Sequence, residues 1–165
     1  MIERVLTIGA YGFDAATFVD ALRSAGADVF IDIRARRGVR GAAYAFANAK
    51  RLQRALAEAG IRYVHVKDLA PSRAVRDAQY RADAELGIAK RERTSLGPAF
   101  VAAYENECLS GFDPGAFAET HVREACRPVL FCVEREPRAC HRSLVAPRLA
   151  QAFAVPVIDL GPPSA

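Results

Sequence analysis

The residues best suited to chemistry lie together in the segment "FCVEREPRACHRSLVAP", residues 131–147. Cys140 falls where a helix is expected to begin, and a helix N-terminus with nearby arginines favours the thiolate form of cysteine. Such a thiolate could act as a nucleophile while His141 or Glu134 moves protons, and Arg142 could bind an anionic substrate. The ordinary alternative is that Cys140 packs as a small hydrophobe, His141 caps the helix and Arg142 is a solvated cation.

Cys132 lies in an apolar run, where most cysteines simply pack. With Arg138 it matches the C-x5-R pattern of phosphatase loops, but glutamates and a proline replace the glycines that aim N–H groups at phosphate. We therefore treat this match as chance. Cys132, Cys140 and His141 could combine with His65 around a soft metal. The paired spacing of zinc sites is missing, so soft-metal binding is only weakly supported, no metal ligand is assigned, and the sequence leaves open whether a metal binds.

A second group of candidates lies in "DVFIDIRARRGVRG". Asp32 comes near the end of an apolar stretch and needs a partner, and Arg34 is the nearest cation. The two could form a structural pair, or Asp32 could act as an acid, base or orienting group while Arg34 binds an anionic substrate. Arg36, Arg37 and Arg40 form a basic patch that could contact phosphates, with a solvated loop as the ordinary alternative.

Five short apolar runs must position these residues: "RVLTIGAY", "DVFIDIR", "IRYVHV", "PVLFCVE" and "VPVIDL". They alternate with helices whose expected N-caps are Asp14, Asn48, Ser72 and Asp113. This pattern predicts one three-layer α/β domain over residues 1–165, with a mainly parallel sheet of about five strands, helices on both faces, and a helical insertion at about 71–127. Parallel strands end along one edge, so we expect Asp32 to lie near Cys140 and Arg142. The sequence does not fix the strand order.

Composition adds broad limits. The chain has 165 residues and a net charge of +4, and nearly all the positive charge is arginine. This excess permits an anionic partner; a nucleic-acid partner is only weakly supported. No apolar run is long enough to span a membrane, and the N-terminus does not read as a signal peptide. We therefore expect a cytoplasmic protein with reduced cysteines.

Several motifs in order resemble the bacterial domain-of-unknown-function 488 family. They are "TIGAYG", "DVFIDIR", "LAEAGIRYVHV" and "FCVEREPRACHRSLVAPRLA", the last of which is similar to that family's C-x-E-x-x-P-x-x-C-H-R segment. The resemblance implies a fold and a site but no reaction and no cofactor. Carried over by position, it marks Gly9, Asp32, Arg34, Gly60, Tyr63, Cys132, Glu134, Pro137, Cys140, His141 and Arg142.

The chain also departs from that family's pattern. Ala10 and Tyr11 stand where a histidine and then serine or threonine are expected, and Arg37 stands where a proline is expected. "LAP" at residues 69–71 replaces Leu-Gly-Gly. If the missing histidine is catalytic, this chain has altered or lost activity.

The sequence thus favours an enzyme that acts on a small anionic or nucleotide-like substrate at the C-terminal edge of the sheet. The predicted catalytic residues are Cys140, His141, Glu134 and Asp32, and the predicted substrate-binding residues are Arg34, Arg142, Tyr11 and Cys132. Three alternatives stay open. The first is a nucleic-acid or nucleotide-binding module without catalysis. The second is rhodanese-like sulfurtransferase chemistry, suggested by a fainter resemblance in the Asp-x-Arg strand. The third is a structural or regulatory protein whose cysteines only pack.

Overall fold

The computed structural model describes residues 1–164, which contain a five-stranded sheet. Neighbouring strands all pair in parallel, in the order β3-β2-β4-β1-β5. This confirms the predicted α/β fold and supplies the strand order that the sequence left open. The strands are β1 (Val5–Ile8), β2 (Val29–Asp32), β3 (Arg62–His65), β4 (Pro128–Phe131) and β5 (Val157–Leu160).

The helices begin largely where short polar residues predict. Asp14, Ser72 and Asp113 each accept a hydrogen bond from a backbone N–H in the first turn that follows. Asn48 also occupies the predicted N-cap position, but its side chain does not cap the helix, because it accepts instead from the Val39 N–H at 2.7 Å. The helices are α1 (Ala15–Ser24), α2 (Ala49–Glu58), α3 (Arg73–Leu86), α4 (Pro98–Tyr104), α5 (Pro114–Phe117) and α6 (Arg142–Phe153).

Helices cover both faces of the sheet. On one face α1 and α2 pack on alternate strand residues such as Phe30 and Phe131. On the other, α3 to α6 pack on the intervening residues, such as Ile31 and Leu130. Each fully buried side chain of this size contributes about 1.5–3 kcal/mol. Right-handed crossovers explain the division, because the chain moves one way across the sheet from β1 to β3 and the other way afterwards.

The connection from β3 to β4 carries α3, α4 and α5, and single π-helical turns at 105–109 and 118–122 extend the last two. Its longest helix, α3, has 14 residues. Nowhere in residues 1–164 is there a helix both long and apolar enough to cross a membrane. Part of this connection lies over the C-terminal edge of the sheet, where it borders a cleft.

Candidate functional site

The C-terminal ends of β1 and β4 form the centre of the site. β4 also neighbours β2, and the chain leaves β2 toward β3 but leaves β4 in the opposite direction, toward β5. A crevice opens where connections diverge in this way, and ligands of open α/β sheets bind there. The loop after β1 touches the loop after β4, because the N–H groups of Ala10 and Tyr11 both donate to the Val133 carbonyl, at 3.1 and 3.0 Å.

The end of β2 joins the same edge. His141, at the start of α6, bonds through Nε2 to the Ile33 carbonyl at 2.9 Å. Asp32 ends β2, while Cys140 and Arg142 flank His141. The structure therefore brings Asp32 to the same edge as Cys140 and Arg142.

Asp32 and Arg34 form a buried ion pair. Arg34 donates from Nε to Oδ1 at 2.9 Å and from Nη2 to Oδ2 at 2.8 Å, and its Nη1 donates to the Ala47 carbonyl at 2.9 Å. Tyr63 donates its hydroxyl to Asp32 Oδ2 at 2.7 Å. Burial, followed by the contact with Asp32, raises the pKa of Tyr63 to about 12, so the hydroxyl remains a donor. Asp32 is fully buried behind Arg34, and only Arg34 of the pair lines the cleft.

The Arg142 side chain is also bonded to other groups of the protein. Its side chain is 1% exposed, and it donates from Nη1 to the Glu134 carbonyl at 2.8 Å and from Nη2 to the Arg135 carbonyl at 3.2 Å. Its Nε donates to Thr7 Oγ1 at 3.3 Å. Arg142 thus fastens the loop after β4 to β1 and lies behind the cleft wall.

Cys132, Cys140 and His141 meet at the floor of the cleft. All three are buried, and the two sulfurs and a ring nitrogen lie within 4.8 Å of one another. Because the Ile33 carbonyl can only accept, it fixes the proton of a neutral His141 on Nε2. The Nδ1 lone pair then faces Cys140 Sγ at 3.8 Å. Tyr104 packs against the His141 ring, with centroids 5.3 Å apart.

The two thiols differ in acidity. Burial alone would raise the pKa of Cys140, but a hydrogen bond from Cys132 and the adjacent Arg142 lower it to about 7. The same bond to Cys140, together with burial, raises the pKa of Cys132 to about 12. Cys140 is therefore the more acidic thiol of the pair, and Cys132 is its hydrogen-bond donor.

Glu134 supplies a carboxyl group to the cleft that the two sulfurs line. Its side chain is 5% exposed, and Oε1 lies 3.5 Å from Lys90 Nζ and 3.7 Å from Arg93 Nη1. Burial raises the pKa of Glu134 to about 7 even though Lys90 and Arg93 oppose the rise. The group can thus take up and release a proton near neutral pH, as general acid–base catalysis requires.

The cleft above these groups holds about 660 Å³. Its lining is strongly basic, because eight cationic side chains face two acidic ones, Asp77 and Glu134. The predicted substrate-binding residues Tyr11, Arg34 and Cys132 line it, as do Cys140 and His141. The cations are Arg34, Arg36, Arg40, Arg73, Arg76, Lys90, Arg91 and Arg93.

The cations of the cleft fall into two groups. Arg34 is bound to Asp32, and Arg93 is paired with the buried Asp83. Arg36, Arg40 and Arg76, by contrast, form no ion pair with any acid in residues 1–164.

Arg76 stands out among these unpaired cations. Its Nε is buried and, within the described part of the chain, has no hydrogen-bond partner. A buried N–H group of this kind is rare in proteins.

Sequence reasoning missed the wall of the site. Lys90, Arg93 and Arg76 come from the β3–β4 connection, which we predicted only as helical. The signal was the polar helix "RAVRDAQYR" and the basic run after it. Nothing in their spacing says that these segments lie over the C-terminal edge of the sheet.

The comparisons with known proteins agree with the resemblance seen in the sequence. A family model described as "Domain of unknown function DUF488" matches residues 14–149, from the start of α1 almost to the end of α6. The match includes Cys132, Glu134, Cys140 and His141. No curated protein and no solved structure matches the chain. The protein belongs to the DUF488 family of domains of unknown function.

Proposed function

We propose that this protein is an enzyme that binds a small anionic substrate in the basic cleft and converts it at Cys140, His141 and Glu134. The observation that carries the proposal is the excess of cations in the cleft, where eight cationic side chains face two acidic ones. Three of these cations, Arg36, Arg40 and Arg76, form no ion pair within residues 1–164, so their guanidinium groups remain available to a ligand. Guanidinium groups bind phosphate and carboxylate through two parallel hydrogen bonds.

The dimensions of the cleft favour a small molecule over a polymer. Its volume of about 660 Å³ falls within the range of about 300–1,000 Å³ typical of small-molecule sites. Tyr11 and Tyr80 add aromatic surface to the basic lining. A nucleotide or a sugar phosphate combines these requirements, because each carries a charged group on a ring of matching size.

The floor of the cleft supplies groups that can react. Cys140 and His141 Nδ1 lie 3.8 Å apart, and the Glu134 carboxyl exchanges a proton near neutral pH. Asp32 and Arg142 act as positioning residues, since Asp32 orients Arg34 and Arg142 holds the loop that carries Glu134. A reducing compartment such as the cytosol would keep both thiols available.

Thermal stabilisation by anions tests the binding step. Inorganic phosphate, nucleotides and sugar phosphates should raise the melting temperature of the wild-type protein, and added salt should weaken the effect. Arg76→Gln should lose most of the shift. Arg54→Gln is the matched control. It removes the same charge from an exposed residue of α2 that lies outside the cleft.

Turnover tests the chemical step. Each stabilising compound is incubated with the protein and followed by mass spectrometry. Conversion should fall sharply in Cys140→Ser and Glu134→Gln, while binding by both variants persists. If anions stabilise Arg76→Gln as much as the wild-type protein, the proposed anion-binding site is refuted. If conversion is unchanged in both Cys140→Ser and Glu134→Gln, the proposed catalytic role of these residues is refuted.

A further inference from the structure

Three side chains at the floor of the cleft form a compact set of metal ligands. The Sγ atoms of Cys132 and Cys140 and a ring nitrogen of His141 all lie within 4.8 Å of one another. In a tetrahedral site with Zn–S near 2.3 Å and Zn–N near 2.0–2.1 Å, neighbouring ligand atoms lie about 3.5–3.8 Å apart. The separation of Cys140 Sγ and His141 Nδ1 is already 3.8 Å. Contraction by about 1 Å or less would bring the remaining pairs to coordination distance.

The surroundings of His141 prepare it for this role. Metal-binding imidazoles usually donate their other N–H to a carboxylate or a backbone carbonyl, which fixes the tautomer and aims the lone pair. His141 does so through Nε2, at 2.9 Å from the Ile33 carbonyl. Its Nδ1 is thereby left as the coordinating atom and faces the two sulfurs.

The surroundings of Cys140 favour the form that metals bind. Coordination requires a thiolate. Cys140 lies just before the first turn of α6, and a helix N-terminus favours a negative charge. The cluster is also open on one side, since all three ligands line the cleft.

We propose that Cys132, Cys140 and His141 bind a zinc ion whose fourth coordination position faces the cleft. A Cys₂His set with an open position is typical of catalytic zinc, which carries a water molecule there and lowers its pKa. Zinc at this position would supply an activated water molecule for a hydrolytic reaction. Glu134, which lines the same cleft, could hold the proton that this water loses until the leaving group takes it up.

This reaction rests on the proposed function, because it requires an anionic substrate in the cleft. Zinc binding does not. The two can therefore be tested separately.

Metal loading of the full chain tests the inference. Protein stripped with a chelator and kept reduced with a phosphine should regain one zinc ion per chain, measured by elemental analysis after dialysis. Loss of only an outer partner weakens metal binding by about 10- to 100-fold, so Cys132→Ser, Cys140→Ser and His141→Gln should weaken it by at least as much. Cys108→Ser and Cys126→Ser are matched controls, because these free cysteines lie outside the cluster.

Cobalt binding can be measured on the wild-type protein alone, so the result does not depend on whether a variant folds. Wild-type protein loaded with Co²⁺ should show thiolate-to-cobalt charge transfer and the intense visible bands of a tetrahedral site. A weak octahedral spectrum, or zinc uptake that depends equally on Cys108 or Cys126, would overturn the proposal. Anion stabilisation is measured on the same metal-free protein. If it persists when zinc binding fails, the metal is refuted and the basic cleft is retained.

Discussion

Replacing Gly9 with alanine should distort the loop that carries Glu134. Gly9 follows β1, and its backbone conformation is open to any residue, so the effect is steric. A Cβ atom added there would lie 1.9 Å from the Glu134 carbonyl oxygen and 3.3 Å from Arg142 Nη1. Real Cβ contacts are essentially never shorter than 3.0 Å, so the oxygen must retreat by about 1 Å.

The cost has two parts. Forcing extra volume into a packed site typically costs about 1–3 kcal/mol. A retreat of this size also breaks the 2.8 Å hydrogen bond from Arg142 Nη1 to the same oxygen, and hydrogen bonds to charged groups contribute about 1.5–3 kcal/mol. We expect Gly9→Ala to lower the free energy of unfolding by about 3–5 kcal/mol, since the two parts overlap at one atom.

Urea denaturation followed by circular dichroism measures this change, since the chain has no tryptophan. Gly111→Ala is the control, because nothing lies within 4 Å of a Cβ added there; its stability should stay within about 0.5 kcal/mol of wild type. Anion-induced stabilisation should also fall in Gly9→Ala, because the displaced loop forms part of the cleft lining. If Gly9→Ala is as stable as Gly111→Ala, the close approach of the two loops is wrong.

Three further changes test the buried ion pairs. Asp32→Asn should lower the free energy of unfolding by about 3–5 kcal/mol, because it leaves the Arg34 guanidinium buried without its counter-charge. Tyr63→Phe removes a single hydrogen bond to Asp32 and should cost less, about 1.5–3 kcal/mol; urea denaturation that gives the reverse order would contradict this reasoning. Burial alone would raise the pKa of Asp83, but Arg93 lowers it below its ordinary 3.8. The pair therefore stabilises the protein above that pH and its contribution is lost as the pH falls through the lowered value. The difference in free energy of unfolding between wild type and Asp83→Asn should therefore narrow as the pH falls from about 6 to about 3. A difference that stays constant over this range would refute the stabilising role of the Asp83–Arg93 pair.

The fold was predictable because its signals are local. Each strand is a short apolar run, and Gly26 and Gly60 take positive φ angles just after α1 and α2. A short polar residue before a helix likewise predicts where the helix starts, because its side chain accepts a hydrogen bond from the first turn, as at Asp14. Strand order is different, because it depends on which crossover packs best on the completed sheet. No single segment contains that information.

The floor of the site was predictable for a related reason. Cys132, Glu134, Cys140 and His141 lie within ten residues of one another, and the end of a parallel strand is where such groups become useful. Their mutual geometry was not predictable. It depends on the Ile33 carbonyl, a backbone atom of another strand, which fixes the tautomer of His141.

Arginine shows most clearly where sequence reasoning stops. Arg34 and Arg142 were predicted to bind the substrate, but their donors are largely taken by Asp32 and by backbone carbonyls. A sequence shows which side chains carry charge and does not show which carbonyls fold against them. The arginines without an acidic partner in residues 1–164, including Arg36 and Arg76, sit farther out in segments that looked like ordinary solvated helix and loop.

The arginines of the site therefore form two groups with different roles, an inner group that supports the structure and an outer group that is available to a ligand. The inner arginines are buried and their nitrogens are bonded to the protein, so they set the shape of the loops, and Arg142 holds the loop of Glu134 in place. The outer arginines Arg36, Arg40 and Arg76 line the cleft without an acidic partner in residues 1–164, so their guanidinium groups remain available to a ligand. Changes to the inner layer should lower stability first and activity as a consequence. Changes to the outer layer should weaken anion binding in a protein that remains folded, and this separation distinguishes a binding site from a merely basic surface.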